Sequence, residues 1–264
     1  MKNKIACTTG GYRGQSMDRV FQGLSRAGFQ YAELTAIPGP EARIPVDKMS
    51  AADIAALRKS MAAYELAPVS VSGHSDLGTE AGLQTFLRRV EFAHQIGVDI
   101  VNTGAAHGDS AEEAERFYAN MREIVPYAQA RGVRIALETH GGFTGTAEDC
   151  LRTLDRIGSD VVGINYDTAN VIFYRDVRPE QDIKLIAPRV IHVHLKDKRG
   201  GAMVWDFPPL GQGTIDFRAI VDVLNGVGYA GPYSAEVEFE ADSAEEEDRL
   251  LAGVREFMGR LLSC

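Results

Sequence analysis

The sequence is poor in cysteine and in long apolar runs, and it has no excess of positive charge. The three cysteines among its 264 residues, Cys7, Cys150 and Cys264, are too few and too far apart for a disulfide framework, which predicts a reducing, cytoplasmic compartment. The first residues lack the apolar segment of a signal peptide, and no run approaches the length of a membrane span. A net charge of −9 without a basic strip argues against a nucleic-acid surface. We therefore expect a soluble cytoplasmic protein that binds neither nucleic acid nor a membrane.

Short apolar or β-branched runs alternate with amphipathic stretches from one end of the chain to the other. Runs of this length, bounded by turn residues, are typical of buried strands. Because strands that alternate with helices form parallel sheets, the pattern predicts an α/β fold. The predicted strands cover residues 5–9, 31–36, 68–72, 100–104, 134–139, 162–167, 190–195 and 233–237.

Two helical stretches are defined by apolar residues at three-and-four spacing. In residues 79–96 this face consists of Leu83, Phe86, Leu87, Val90, Ala93 and Ile96. Residues 243–262 begin with Ser243 and Glu246 at the spacing of a capping box, and we interpret the acidic run 245–248 as a solvated first turn. The apolar stripe of this second stretch consists of Leu250, Val254, Phe257, Met258, Leu261 and Leu262.

Glycines mark the joints between helices and the strands that follow them. A residue in the left-handed conformation is expected just after a helix, and glycine adopts it without strain. The glycines at these joints are Gly28, Gly97, Gly132, Gly158 and Gly228.

About eight β/α units follow one another without a Pro/Gly-rich linker, which predicts one closed parallel barrel. A (β/α)8 TIM barrel of roughly 250 residues fits the chain, so residues 1–264 are expected to form a single TIM-barrel domain. A doubly wound open sheet is the competing topology. It is disfavoured because the functional-looking residues lie at many strand ends instead of gathering at one switch point.

Four of the predicted strands end on a side chain of a type that ligates metal ions. They are Glu138 in RIALETH, Asp167 in VGINYDTAN, His194 in VIHVHLKD and Glu236 in PYSAEVE, spaced 29, 27 and 42 residues apart. A β/α unit takes roughly 30 residues, and the longer third interval contains the loop KRGGAMVWDFPPLGQG. Since the C-terminal strand ends of a barrel open on one face, the four side chains are expected to converge on one divalent metal ion.

Each of these residues taken alone has a simpler interpretation. Asp167, which precedes Thr168 and Asn170, is at a position where a carboxylate commonly caps a helix, and a lone histidine such as His194 is more often a hydrogen-bonded barrel residue. Apolar runs that end on unpaired buried carboxylates would be costly, however, because a buried charge needs a partner or a metal. The shared strand-end position of all four residues therefore favours the metal site.

At these residues the chain resembles the xylose-isomerase-like sugar phosphate isomerase/epimerase superfamily, also called AP endonuclease family 2. This group of barrels includes ketose 3-epimerases, inosose dehydratase and endonuclease IV. The resemblance runs from AGFQYAEL to the last helix, and its most specific motifs are ALETH, NYDTAN, IHVHLKD and GYAGPYSAEVE, the last preceded by LGQGTIDFRAIVDVL. It implies that Glu138, Asp167, His194 and Glu236 bind one divalent metal ion. His192 corresponds to a histidine that coordinates less directly, which implies a supporting or substrate-contacting role.

The implied metal site suggests a mechanism. A mixed oxygen and nitrogen ligand set suits Mn²⁺, Mg²⁺, Co²⁺ or Zn²⁺, and three carboxylates favour Mn²⁺. Such an ion polarises a carbonyl and stabilises the enediolate that forms when the neighbouring carbon loses its proton. In the epimerase branch, the residues that match Glu138 and Glu236 lie on opposite sides of this carbon, and one removes the proton that the other returns.

Several positions depart from the patterns of the resembled families. Where ketose 3-epimerases carry a substrate-contacting Glu, a His and an Arg, this chain has Thr144, Asn170 and Gly200, which disfavours a free ketohexose as the substrate. Endonuclease IV needs an Asp-x-His before its Gly-x-Gly turn, and the corresponding residues 205–208 lack that histidine. Together with the acidic net charge, this disfavours a nuclease.

Further polar residues lie at predicted pocket positions near the strand ends. Lys196 and Arg199 are candidates for holding a carboxylate, an enolate oxygen or a phosphate, because the loops after strands seven and eight often bind phosphate in barrels. Trp205, Phe207 and the neighbouring prolines are candidates for a lid or for a contact between copies in a homo-oligomer. The predicted substrate-binding residues are His74, His107, His140, Asn170, His192, Lys196 and Arg199.

The predicted function is a divalent-metal-dependent isomerase or epimerase of a small carbohydrate that works through a metal-stabilised enediolate. A sugar, a sugar phosphate, a sugar acid and a keto-polyol all fit as substrates. The alternative is a metal-dependent dehydratase, since the same proton abstraction followed by loss of a β-hydroxyl removes water. A non-catalytic sugar-binding barrel is a third candidate, disfavoured because all four metal-type residues are present.

Overall fold

Eight parallel strands form the centre of the protein. The computed structural model describes residues 3–39, 42–106, 108 and 110–263. Within these residues the strands pair in chain order and close into a barrel, so the (β/α)8 prediction is confirmed and the open-sheet alternative is wrong. Each strand begins and ends within two residues of the predicted positions. The strands are β1 Ile5–Thr8, β2 Tyr31–Thr35, β3 Ala67–Ser72, β4 Ile100–Thr103, β5 Arg134–Glu138, β6 Val162–Asp167, β7 Val190–Leu195 and β8 Tyr233–Ala235.

Helices connect the strands around the outside of the barrel. In the described ranges none of them is both long and apolar enough to cross a membrane. Short 3-10 helices occur at Val46–Lys48, Gly142–Thr144 and Ala187–Arg189. The α-helices are α1 Met17–Arg26, α2 Ala51–Ala63, α3 Glu80–Ile96, α4 Ala111–Gln129, α5 Ala147–Ile157, α6 Asn170–Arg175, α7 Pro179–Ile186, α8 Phe217–Gly226 and α9 Ala244–Leu261.

Local sequence explains where these helices begin and end. A serine or threonine side chain accepts a backbone hydrogen bond at the start of each of α1 to α5 and of α9, as expected for an N-cap. All five joint glycines have a positive φ, and Gly97 and Gly158 are themselves the C-cap residues. The capping box predicted for α9 is only half present, because the carboxylate of Glu246 accepts from the backbone N–H of Asp242 instead of Ser243.

The buried face of α9 differs from the predicted face. Its buried stripe contains Leu251, Val254, Met258 and Leu261, whereas the predicted Leu250 is only half-buried. The stripe begins at Glu247, whose carboxylate accepts a hydrogen bond from the backbone N–H of Tyr12 at 2.7 Å. The acidic run is therefore not wholly solvated, because one of its carboxylates helps to attach α9 to the loop after β1.

The barrel brings the predicted metal-type residues to one end. Glu138 and Asp167 are the last residues of β5 and β6, His194 is the last but one of β7, and Glu236 directly follows β8. The strand register places Asp167 beside His194, and Glu138 beside Asn165. All four thus lie at the C-terminal ends of adjacent strands, where barrel enzymes form their active sites.

Candidate active site and metal centre

Four side chains converge at the C-terminal end of the barrel. One ligand atom each from Glu138, Asp167, His194 and Glu236 lies within 4.8 Å of the other three. The Nδ1 atom of His194 is 3.5 Å from Glu138 Oε2 and 3.7 Å from Glu236 Oε2. The same Nδ1 atom is 3.9 Å from Asp167 Oδ2. Glu236 is the most accessible of the four, with 20% of its side chain exposed.

His194 is held from behind by a second buried carboxylate. Its Nε2 atom lies 2.9 Å from Oε1 of Glu33, a fully buried residue on β2. Because an ionised carboxylate only accepts hydrogen bonds, Nε2 carries a proton, and Nδ1 faces the other carboxylates. A carboxylate in this position fixes the orientation of the imidazole ring and strengthens it as a metal ligand.

His192 belongs to a layer below the cluster. It has no exposed surface, and its Nδ1 lies 2.9 Å from Asn165 Oδ1 while its Nε2 lies 3.2 Å from Glu33 Oε2. Glu33, His192 and His194 themselves form a second group with metal-ligand spacing. Since His192 does not reach the cavity in the structure, its geometry fits the supporting alternative and not direct contact with substrate.

Glu138 is oriented by hydrogen bonds to both of its oxygens. Oε1 accepts from Asn170 Nδ2 at 2.9 Å, and Oε2 lies 2.8 Å from His74 Nε2. Asn165 Nδ2 donates to Oε2 at 3.2 Å. Two residues predicted to bind substrate, His74 and Asn170, therefore also fix the position of a candidate metal ligand.

Burial and neighbouring charges shift the proton affinities of the cluster. Burial alone would lower the pKa of His194, but the surrounding carboxylates, first of all Glu33, raise that pKa well above its usual value. Burial alone would raise the pKa of Glu138, but the charges of nearby histidines hold it below its usual range. For Asp167 burial dominates and raises the pKa well above the usual value, against the opposing charge of Lys196.

The environment of Asp167 is suited to a cation. Its Oδ1 atom accepts from the backbone N–H groups of Ala169 and Asn170, at 2.8 and 2.7 Å. Its buried Oδ2 atom makes no hydrogen bond to the described residues, although Lys196 Nζ lies 3.3 Å away. A buried carboxylate oxygen without a hydrogen bond is costly, and a metal ion would remove that cost. Three carboxylates and one imidazole nitrogen are also a donor set that a divalent ion accepts, so these residues fit a metal centre.

Lys196 adds a cation to the same site. Its Nζ atom lies 2.7 Å from Glu236 Oε2 and 3.2 Å from Glu238 Oε1, and only 5% of its side chain is exposed. Burial alone would lower the pKa of Lys196, but Asp167 and the two glutamates raise it well above the usual value. The amine is therefore a protonated group at neutral pH.

A cavity of about 170 Å³ opens above the cluster. Its apolar wall contains Phe173 of α6 and, from the loop after β7, Trp205 and Phe207. The Trp205 ring meets those of Phe173 and Phe207 edge-on, with centroids 5.6 and 5.0 Å apart. Ile37 and Tyr174 complete this wall. The polar lining consists of His74, Glu138, His140, Asn170, Lys196, Glu236 and Glu238.

The other predicted substrate contacts lie at different depths. His140 is at the rim of the cavity, where its Nε2 lies 3.0 Å from the Tyr174 hydroxyl and burial lowers its pKa. Arg199 does not line the cavity, because its Nε donates to the Gln212 carbonyl oxygen at 3.0 Å. His107 lies outside the described residues.

Several residues of the site were missed in the sequence, and three of them carry a signal that could have revealed them. Asn165 is two residues before Asp167, and Glu238 is two residues after Glu236, so strand alternation would have placed both beside a predicted ligand. Glu33 is a carboxylate within the apolar run YAELTAI, which is itself a signal, because a buried charge needs a partner.

Comparisons with known proteins agree with this architecture. The family described as xylose isomerase-like TIM barrel matches residues 21–258. The L-ribulose-5-phosphate 3-epimerase UlaE of Escherichia coli (strain K12 / DH10B) is 23% identical over 183 residues, which are 67% of this chain and 62% of that protein. The chain thus spans about three fifths of the length of the curated relatives that it matches.

Solved structures show the same barrel. A xylose isomerase domain protein from Planctomyces limnophilus has a TM-score of 0.81 at 18% identity, covering 99% of this chain and 98% of that one. A D-psicose 3-epimerase with D-tagatose from Clostridium cellulolyticum H10 has a TM-score of 0.78 at 16% identity, with 100% of both chains covered. A xylose isomerase-like TIM barrel protein from Mycobacterium smegmatis in complex with magnesium has a TM-score of 0.79 at 19% identity, covering 100% and 97%. These likenesses establish the fold.

Proposed function

Because the chain belongs to the xylose isomerase-like TIM-barrel family, we propose that it is a divalent-metal-dependent isomerase or epimerase of a small carbohydrate. The observation that carries the proposal is the convergence of Glu138, Asp167, His194 and Glu236 beneath a cavity. The epimerase names of a curated relative and a structural neighbour support the same reaction class. We propose Mn²⁺ as the resident ion, ahead of Mg²⁺, Co²⁺ and Zn²⁺, and the cytoplasm as the compartment.

In the proposed reaction, Glu138 and Glu236 move the proton. A divalent ion held by the four side chains would polarise a substrate carbonyl and make the neighbouring C–H bond more acidic. Burial opposes ionisation of Glu236, but the charges of Lys196 and His194 hold its pKa below the usual value, so it is ionised at neutral pH, the form in which a carboxylate can act as a base. Glu138, fixed by Asn170 and 2.8 Å from His74 Nε2, would pass a proton from that imidazole to the other side of the carbon. Glu236 then holds the proton taken from the substrate and His74 has lost one, so exchange with solvent restores both groups and the carbon is inverted without net change in protons.

One observation favours dehydration as the second candidate. Lys196 is a protonated amine that lines the cavity beside Glu236. If a glutamate removes the α-proton, an ammonium at this distance is suited to protonate a β-hydroxyl as it leaves as water. Loss of water then replaces return of the proton to carbon.

Incubation of the manganese-loaded protein in D₂O with a panel of ketoses and keto-polyols separates these reactions. We expect solvent deuterium at the carbon next to the carbonyl in a recovered isomer, detected by NMR and mass spectrometry. A product that has lost water identifies the dehydratase. Absence of both exchange and product across the panel contradicts the enzyme proposal and favours a binding barrel.

Two variants test the proton carriers. Glu138→Gln and Glu236→Gln should each lower turnover by at least about 10²- to 10⁴-fold, the usual contribution of an acid–base group. Metal affinity, measured by calorimetry, separates loss of the base from loss of the ion. Glu240→Gln is the matched control, because Glu240 carries the same charge with its side chain 87% exposed and should leave turnover unchanged. Substantial activity in either active-site variant would remove that residue from the proton transfer.

A further inference from the structure

We propose that the cavity takes an uncharged carbohydrate and rejects its phosphate esters. The inference rests on the proposed function, because it names the form of the carbohydrate on which the site acts. A phosphate group is held by Arg or Lys side chains, or by free backbone N–H groups of loops and helix starts. Near this cavity, Lys196, Lys198 and Arg199 are already bonded to oxygens of the chain itself, and so are the groups of backbone amides that surround Asp167 and Asp197.

Lys196 is the one Lys or Arg among the described residues that line the cavity, and it is already neutralised. Its Nζ lies within 3.3 Å of three carboxylates, those of Asp167, Glu236 and Glu238. A phosphate would have to replace at least one of them and then lie beside the others. Because like charges placed side by side in a buried site repel one another strongly, Lys196 does not serve as a phosphate anchor in this arrangement.

The loop after β7 carries a group of backbone amides that is typical of a phosphate site, but a carboxylate of the chain occupies it. Oδ2 of the buried Asp197 accepts from the N–H groups of Gly211 and Gly213, at 2.9 and 2.8 Å. Its Oδ1 accepts from the N–H groups of Lys198 at 2.8 Å and of Ile215 at 3.4 Å. A carboxylate thus sits where barrel enzymes commonly bind phosphate.

Two further groups of donors near the cavity are engaged in the same way. At the start of α6, the first amides donate to Asp167 Oδ1. Lys198 directs its Nζ at the carbonyl oxygen of Arg199, and the Arg199 guanidinium is held by the Gln212 carbonyl oxygen and lies 3.9 Å from Asp206. Neither side chain is among the residues that line the cavity.

Charge and surface chemistry in the cavity agree with an uncharged ligand. Glu138, Glu236 and Glu238 line it, Asp167 lies at its base, and Lys196 is the one Lys or Arg among the described lining residues that opposes them. Even with a divalent ion in place, the described side chains leave no positive excess for a dianion. The aromatic wall instead offers apolar faces to the C–H groups of a sugar.

Matched ligand pairs test the inference directly. We would titrate the manganese-loaded protein with D-ribulose and D-ribulose 5-phosphate, and with D-xylulose and D-xylulose 5-phosphate, by calorimetry, and measure turnover of each. The free sugar of at least one pair should bind, and its phosphate ester should bind at least about tenfold more weakly. Equal or tighter binding of the ester, or binding of neither member of any pair, would overturn the inference.

A charge variant provides an independent measurement. Glu238→Gln removes one of the carboxylates that neutralise Lys196, so inorganic phosphate should bind about tenfold more tightly than to the wild-type protein. Glu240→Gln removes the same charge from an exposed position and should leave phosphate binding unchanged. An unchanged affinity in Glu238→Gln, with the melting temperature retained, would contradict the role of the carboxylates in excluding phosphate.

The two proposals fail in different ways. Selective binding of uncharged sugars without any deuterium exchange or product would contradict the enzyme and support the charge argument. Turnover of phosphate esters in preference to free sugars would support the enzyme and contradict the charge argument.

Discussion

Glu33 is the residue on which the orientation of His194 depends. It supplies the hydrogen-bond acceptor for Nε2 from β2, across the barrel interior from β7. Asn102 Nδ2 donates to the same Oε1 atom at 2.7 Å, which fixes the carboxylate in turn. Since the burial of Glu33 is complete, water does not replace these contacts. In the proposed metal centre, Glu33 would therefore act through His194 and is not one of the four proposed ligands.

We predict that Glu33→Gln weakens Mn²⁺ binding by about 10- to 100-fold, the usual effect of removing a partner behind a metal-ligating histidine. The amide keeps the shape of the side chain but removes the negative charge that strengthens the imidazole. Calorimetric titration of the metal-free protein measures the affinity. Glu247→Gln is a suitable control, because it also removes a buried carboxylate but one bonded to the backbone of Tyr12. Equal Mn²⁺ affinity in Glu33→Gln and the wild type would show that Glu33 only fills space.

Single residues of the site were predictable to different degrees. Strand-end side chains such as Glu138 and Asp167 could be found, because a parallel barrel directs all such ends to one face. Arg199 lies on a loop, where no alternation rule sets the direction of a side chain, and it turns away from the cavity. His192 and His194 share a strand face and both contact Glu33 through Nε2. They are distinguished only in three dimensions, because Nδ1 of His194 faces the carboxylates whereas Nδ1 of His192 lies against Asn165.

Among the structural elements, the contact between α3 and the loop after β2 depends on the pairing of the partly exposed Asp47 with Arg88 and Arg89 of α3. The Arg89 guanidinium of α3 is 1% exposed and binds both oxygens of Asp47. Its Nε donates to the carbonyl oxygen of Ala36 at 3.1 Å, and its aliphatic stem packs where a side chain at Gly73 would otherwise lie. Arg89 thus joins α3 to the loop after β2 and to Gly73, the residue that precedes His74.

Asp47→Asn should destabilise the protein at pH 7 by about 1 to 3 kcal/mol, less than the loss of a fully buried pair because Asp47 is partly exposed. Hydrogen bonding from Arg89 lowers the pKa of Asp47 to about 2. A lowered pKa means that the stabilisation is complete above the usual pKa of an aspartate, about 4, and is lost as the pH falls towards 2.

Urea unfolding of both proteins from pH 7 to pH 3 measures this difference. It should be constant down to about pH 4 and decrease below that value. Asp99→Asn is the control, since its pairing with Arg134 is exposed and should contribute less than about 1 kcal/mol. A difference that grows as the pH falls would contradict the proposed pairing.

The sequence was most informative about the positions of the helices and strands. Strand and helix positions follow from apolar spacing, hydroxyl N-caps and joint glycines, all of which are local signals. The exceptions involve tertiary contacts, as where Glu247 at the start of α9 turns inward to Tyr12 and shifts the buried stripe from Leu250 to Leu251. A local pattern does not reveal which acidic residue of a run will find a backbone donor in another element.

The molecule as a whole concentrates negative charge at one end of its barrel. Three carboxylates converge on His194 without enough hydrogen-bond donors for all of their oxygens, as the Oδ2 atom of Asp167 illustrates. Such a site opposes folding of the metal-free protein, because buried charges are costly without a partner. Metal binding and stability should therefore be linked.

We predict that Mn²⁺ at roughly 100 times its Kd stabilises the protein by about 2.7 kcal/mol, since a ligand that binds only the folded state shifts the equilibrium by mass action. For a chain of this size the melting temperature should rise by roughly 5 to 10 °C, measurable by scanning calorimetry. Asp167→Asn should abolish this rise, because it removes one of the four proposed ligands. A rise of the same size in this variant would contradict the proposed metal site.

The position of Trp205 has a practical consequence for observing this protein. Trp205 is the only tryptophan of the chain, and it stands 66% exposed at the mouth of the cavity, against Phe173 and Phe207. The indole fluorescence of the protein therefore arises from one point, on the path by which a ligand enters. A ligand that enters the cavity would change how far the indole of Trp205 is exposed to solvent. The intrinsic fluorescence of the protein should therefore report whether the cavity is occupied.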